Sequence, residues 1–253
     1  MQLDMLIFGA HPDDVEIGIG GTVIKHTDMG YKCGIVDLTA GEMGSNGTAE
    51  IRRREALTAA EIMGVVVRDN LGLPDARLAV NEENLRPIIE VIRRYRPGVV
   101  IGPYWKDRHP DHLSASQLVR NAAHHAGLHK YPVDGEPYRP PLVMEYFLAV
   151  FDEPTFVVDI SKCYERKMGA LAAHSSQFGT PGDCDWQTLV NDPKFMRMIQ
   201  SRDQYVGSLI QAYYGEGIFM QQKMAVDDLT TVHGWRLKMP RDNDMKLYQG
   251  PQP

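Results

Sequence analysis

A three-layer α/β fold, with a mostly parallel sheet and helices on both faces, is what this sequence predicts. Two observations carry the prediction. Apolar runs such as "LDMLIFGA", "CGIVDLT" and "GVVIGPY" are continuous rather than alternating, the pattern of strands buried on both faces. Between them lie segments whose apolar residues recur at helical spacing, and strands alternating with helices imply parallel pairing through crossovers.

The elements follow in order. The first strand covers residues 3–10, and a short helix is expected over about 20–29, behind a run of glycines. "CGIVDLT" (33–39) is the second strand, and the glycine-rich "AGEMGSNGT" after it reads as a loop. A helix over 49–63 rests on the stripe Ala56, Ala59, Ala60 and Met63. "VVVRDNL" (65–71) is the third strand. An amphipathic helix over 82–95 is stopped by Pro97, and "GVVIGPY" (98–104) is the fourth strand. Another helix is expected over 114–126, with Ser114 in its first turn. The second half is less regular: "VMEYFLAVF" and "TFVVDI" read as strands, 161–177 and 194–205 as helices, and "GTPGDCD" as a loop. One Rossmann-like domain over 1–240 and a polar tail over 241–253 result.

Composition narrows the function. The chain has 253 residues, 43% hydrophobic and 24% charged, enough for a sizeable core. A net charge of -6 and no long basic tract argue against nucleic acid, since Arg52-Arg53-Arg54 is too short to neutralise a phosphate backbone. No apolar run approaches the ~18 residues of a membrane span. "MQLDMLIFGA" lacks the charged start and long apolar stretch of a leader, so the expected compartment is cytoplasmic. Cys33, Cys163 and Cys184 are scattered and odd in number, and are expected to be reduced and buried.

The chemistry lies in a tripeptide that occurs twice. "AHPDD" follows the first strand and "DRHPDH" the fourth, so His-Pro-Asp appears at 11–13 and at 109–111. In an open α/β sheet, ligands bind outside the carboxyl ends of the strands where strand order reverses, which brings both motifs to one crevice. His11 and Asp14 are one turn apart, and His112 can add a third ligand from the second motif. Asp13 is then left beside the metal as a general base for its water. His109, held by Asp111, could be cationic and stabilise an oxyanion. Two blander readings compete. The aspartates could simply complement helix N-termini. Gly18, Gly20 and Gly21 with Asp37 could instead bind a dinucleotide, although the glycines come late and two carboxylates occupy the strand turn.

These motifs resemble those of the LmbE/PIG-L family of zinc-dependent N-acetylglucosaminyl deacetylases. The matching segments are "AHPDDVEIGIGGT", "GEMGSNGT" with "RRREA", "NLGLPD" and "DRHPDH", and the similarity runs over about residues 3–220. The loop "DLTAGEMGSNGT", with "PTFVVDI", "SSQF" and "YYGEGI", is most similar to the bacillithiol-pathway branch, which deacetylates N-acetylglucosaminyl malate. The resemblance implies an LmbE-like fold, with His11, Asp14 and His112 as ligands of one Zn2+ or another divalent ion. It also implies Asp13 as base, His109 as oxyanion stabiliser and Asp111 as its orienting partner. Arg52 becomes a substrate contact, suited to a carboxylate such as malate. Tyr214 is a second candidate contact, with packing as the alternative. The implied partner is a small amino-sugar substrate, with a chitooligosaccharide of the diacetylchitobiose type as the alternative. Relatives form homo-oligomers, often hexamers. A non-catalytic metal- or nucleotide-binding module is the reading furthest from these.

Overall fold

The computed structural model describes residues 1–179 and 184–225. A seven-stranded sheet runs in the order β3-β2-β1-β4-β5-β7-β6. Its strands are β1 (Met5–Gly9), β2 (Cys33–Thr39), β3 (Val67–Leu73), β4 (Val99–Pro103), β5 (Leu142–Tyr146), β6 (Phe156–Asp159) and β7 (Gly215–Phe219). The first five pair in parallel, and β7 runs antiparallel between β5 and β6. The helices are α1 (Asp14–Asp28), α2 (Ala49–Met63), α3 (Glu82–Tyr95), α4 (Pro110–His125), α5 (Tyr164–Ala173), α6 (Ser175–Phe178) and α7 (Pro193–Ser208).

Strand order reverses between β1 and β4, so the crevice predicted from the two motifs lies there. The pleat of β1 divides the core. Leu6 and Phe8 pack with α3 and α4 through Ile88, Ile92, Leu118 and Val119. Met5 and Ile7 face the other side, among Ile19, Val23, Ala59, Met63 and Leu171. No helix among the described residues is long and apolar enough to cross a membrane. Cys33 and Cys163 are buried and Cys184 is half-buried, all three as free thiols.

Three helix boundaries differ most from expectation. Helix α1 begins at Asp14, because its glycines are packing sites rather than a delay in the helix. A Cβ on Gly18 would lie 2.2 Å from the Tyr146 ring, and one on Gly21 would lie 2.8 Å from Ile160. Helix α4 begins at Pro110, with His109 as its N-cap accepting the Asp111 N–H at 3.2 Å. Its first turn therefore carries the second motif. The helix expected over 161–177 breaks at His174, which is fully buried and bonds Glu16 at 3.0 Å. Strand β7 was not anticipated. The tail at 241–253 lies outside the described residues.

A buried charge network bonds the backbone of α1. The Arg202 guanidinium donates to the Ile17 carbonyl at 2.5 Å, while the Gly21 and Thr22 N–H groups donate to the Glu216 carboxylate at 2.9 and 2.6 Å. Lys167, with no solvent exposure, sits between Asp203 at 2.5 Å and Glu216 at 2.8 Å. Removing one partner of such a set leaves buried charge uncompensated. Lys167→Met is therefore expected to cost about 3–5 kcal/mol in urea unfolding. A loss below about 1 kcal/mol would show that the network does not hold α1.

Candidate active site

The same tripeptide is set at two different registers of helix start. In the second motif His109 is the N-cap and Pro110 opens α4, so His112 falls in the first turn. In the first motif Asp13 is the N-cap, without a side-chain cap bond, and Asp14 opens α1. Two helix N-termini thus converge on the crevice, an environment that favours carboxylates.

Asp14 lies between two imidazoles. One of its oxygens is 3.2 Å from His112 Nε2, and the other is 3.5 Å from His11 Nδ1 and accepts the His11 N–H at 2.9 Å. The remaining ring nitrogens face away. His11 Nε2 is 3.2 Å from Asp75 and 3.4 Å from Asp111, and His112 Nδ1 is 3.1 Å from Asp107. The rings of His11 and His109 lie 4.9 Å apart, and those of His109 and His112 4.6 Å apart. Among the described residues, two sets bring ligand atoms within 4.8 Å of one another: His11 with His109 and His112, and His11 with Asp75 and Asp111.

The paired aspartates are electrostatically split. Burial pushes Asp13 up to about 6, against the pull of the Arg52 guanidinium. Burial acts on Asp14 in the same direction, but His112 and His11 outweigh it and hold that carboxyl well below its ordinary range. Burial lowers His112, yet Asp14 and Asp107 raise it to about 9. Burial likewise opposes the acids around His11, which raise it well above the ordinary value. His109 is lowered by burial and by its two histidine neighbours.

Asp13 also has strained backbone, with φ 125 and ψ -25. Only glycine adopts that region cheaply, and such strain costs about 1–3 kcal/mol and clusters at functional sites.

Below this layer Arg68 forks onto Asp37 at 2.8 and 2.9 Å and reaches Glu16 at 2.7 Å. Asp37, the ribose-binding candidate, is 1% exposed and committed to this ion pair. The dinucleotide reading loses its acid.

Several expected roles change. The Asp111 carboxylate does not orient His109. It faces His11 and accepts the N–H groups of Ala76 at 2.8 Å and Leu78 at 3.3 Å, because the first turn of α4 points it across the crevice. His109 is not arranged as a cation either, since its Nδ1 accepts the Asp111 N–H and its proton must sit on Nε2. Arg52 reaches the site and lines the cavity, where its terminal nitrogens donate to the Gly41 carbonyl at 3.0 Å, the Pro12 carbonyl at 2.8 Å and Asp13 at 3.2 Å, while its Nε–H has no partner among the described residues. Tyr214 is not at the site. It precedes β7, which β5 separates from β4, and its ring stacks on Tyr164 at 3.6 Å.

Asp75 and Asp107 are site residues that spacing alone missed. Asp75 stands in "NLGLPD", where the turn holds Ala76 at φ 59, and it accepts the Met43 N–H at 2.8 Å. A cavity of about 310 Å³ opens above these groups. Met43, Gly44, Arg108, Leu148, Leu189 and Phe195 are among its walls.

Similarity to known proteins extends over most of the chain. Residues 6–123 match the family model described as PIG-L, GlcNAc-PI de-N-acetylase. The chain is 35% identical over 229 residues to the diacetylchitobiose deacetylase of Thermococcus kodakarensis, covering 85% of this chain and 81% of that one. A probable N-acetyl-alpha-D-glucosaminyl L-malate deacetylase 2 of Bacillus cereus is 30% identical over 190 residues, covering 70% and 84%. Among solved structures, the conserved protein TT1542 of Thermus thermophilus superposes with a TM-score of 0.81 at 37% identity, covering 89% of this chain and 97% of that one.

Proposed function

This chain belongs to the PIG-L family of de-N-acetylases, and we propose that it is a divalent-metal hydrolase removing the acetyl group from an N-acetylglucosamine unit of a small saccharide. The observation that carries the reading is the convergence of His11 Nδ1 and His112 Nε2 on the Asp14 carboxylate, with Asp13 adjacent. That donor set fits a first-row ion. Each imidazole also turns its other nitrogen to a carboxylate, the outer partner that metal-bound histidines characteristically have.

Held by His11, Asp14 and His112, zinc or another divalent ion would supply a polarised acetamide carbonyl and a water acidified towards neutral pH. Asp13, with a carboxyl near 6, takes the proton from the attacking water and returns it to the departing nitrogen. Arg52 holds that carboxylate in place through its bond at 3.2 Å. His109 presents Nε2–H to the developing oxyanion, since its Nδ1 is occupied. Acetate and a free amine are the products.

For the rest of the substrate, the commitment of Arg52 to protein oxygens supports a neutral disaccharide of the diacetylchitobiose type over a malate glycoside. The malate reading is favoured by a different residue. Arg108 is exposed, lines the cavity and has no ion-pair partner among the described residues. Acetate release from N,N'-diacetylchitobiose and from N-acetylglucosaminyl malate separates the two. The disaccharide is expected to have the higher kcat/KM. A preference for the malate glycoside that Arg108→Ala abolishes would reverse the assignment, and no release from either would sink the deacetylase reading.

A further inference from the structure

Two loops meet at the mouth of the cavity, and one buried amide joins them. Asn46, 3% exposed, lies in the loop after β2. Its Nδ2 donates to the Trp186 carbonyl at 2.8 Å and its Oδ1 accepts the Trp186 N–H at 2.9 Å. Its own carbonyl accepts Gln177 Nε2 at 2.8 Å, and Asn191 Nδ2 reaches the Trp186 carbonyl at 2.9 Å. The Trp186 backbone is thus fixed against the loop that supplies Met43 and Gly44 to the cavity wall. Leu189 and Val190, a few residues further on, line the same wall.

Fixing a backbone this firmly while leaving its largest side chain in water needs a reason. Trp186 is 67% exposed, Met43 62% and Leu189 58%. Met43 and Leu189 line the cavity above its floor of histidines and carboxylates, and the exposed Trp186 stands just outside those walls on the backbone that ties the two loops together. A pyranose ring presents an apolar C–H face to such surfaces and keeps its hydroxyls in water. An aromatic ring, large and stiff, is the side chain best suited to that contact. With the N-acetyl group of one sugar at the Asp13 end, a linked sugar that leaves the cavity between Met43 and Leu189 meets Trp186 next.

We propose that Trp186, positioned by Asn46, is the platform for the second pyranose ring of the substrate. The proposal rests on the amino-sugar deacetylase reading and adds that the rim selects a disaccharide over a monosaccharide. The test compares N-acetylglucosamine with N,N'-diacetylchitobiose on the metal-loaded enzyme. Trp186→Ala is expected to lower the disaccharide-to-monosaccharide ratio of kcat/KM by about three- to tenfold, through the disaccharide KM and not through kcat. Trp186→Phe should restore most of the ratio, and Asn46→Ala should shift it in the same direction as Trp186→Ala. An unchanged ratio, or an equal loss on both sugars, overturns the platform while leaving the deacetylase reading intact. A changed oligomeric size at an unchanged ratio assigns Trp186 to a subunit contact and also overturns it. Absence of turnover on both sugars removes the deacetylase reading, and the platform with it.

Discussion

Asp13→Asn lowers kcat by about 10²–10⁴-fold while metal content stays that of the unmodified protein. The amide keeps the shape of the side chain and can still accept from Arg52, but it cannot take a proton from water. The effect is expected in kcat and not in KM, because Asp13 acts on the water and not on the sugar. Asp13→Gly gives the second half of the argument. It is equally inactive, yet it relieves φ 125, strain worth about 1–3 kcal/mol, and removes a carboxyl whose burial raises it to about 6. Against this stand the extra unfolded-state freedom of glycine, about 0.5–1 kcal/mol, and the loss of the carboxylate paired with the buried Arg52, which costs about 3–5 kcal/mol as at Lys167. The glycine variant should therefore be about 1–3 kcal/mol less stable in urea unfolding. Full activity in Asp13→Asn would remove Asp13 as the base. A glycine variant more stable than the parent would mean that backbone strain at Asp13 outweighs its pairing with Arg52.

What was legible in the sequence was whatever local chemistry determines. The limits of β2, α2 and α3 match the expectation from the apolar stripe of α2 and the stop at Pro97, and the structure adds the caps Thr48 and Asn81 and the terminating Gly64. The crevice was legible because a repeated tripeptide after two buried strands can only meet at the switch point. The start of α1 was hidden, since Asp13 makes no side-chain cap bond and the glycines lower helix propensity for packing against Tyr146 and Ile160. The partner of Asp111 was hidden for another reason. It depends on where the turn at Ala76 and the ring of His11 arrive, and both are distant in sequence. Arg52 shows the limit of helical spacing, which placed it on the inward stripe of α2 but could not say that Gly41 and Pro12 would take its donors. Asn46 and Trp186 are a contact between loops, and no periodicity announces one.

His112→Ala is expected to lose the metal and all measurable turnover, whereas His109→Ala keeps the metal and loses about 10²–10³-fold in kcat. The pair of variants decides between two ligand sets that the rings alone leave equivalent, since His109 lies 4.9 Å from His11 and 4.6 Å from His112 by centroids. Outer partners break the tie. His11 Nε2 and His112 Nδ1 each face a carboxylate, which leaves His11 Nδ1 and His112 Nε2 directed at the two oxygens of Asp14. Among the described residues, His109 has a backbone N–H on Nδ1 and faces no carboxylate within ion-pair distance, so it lacks the support that raises the basicity of a bound imidazole. Its Nε2–H is accordingly free to serve the oxyanion. Metal analysis after dialysis against a weak chelator reads the ligand set directly, without reference to turnover. Retention of metal in His112→Ala, or its loss in His109→Ala with the fold intact by circular dichroism, would exchange the roles of the two histidines. Asp14→Asn adds an independent check. An amide in place of the carboxylate leaves the two directed imidazoles without the anion between them, so metal affinity should fall with that of His112→Ala and not with that of Asp13→Asn.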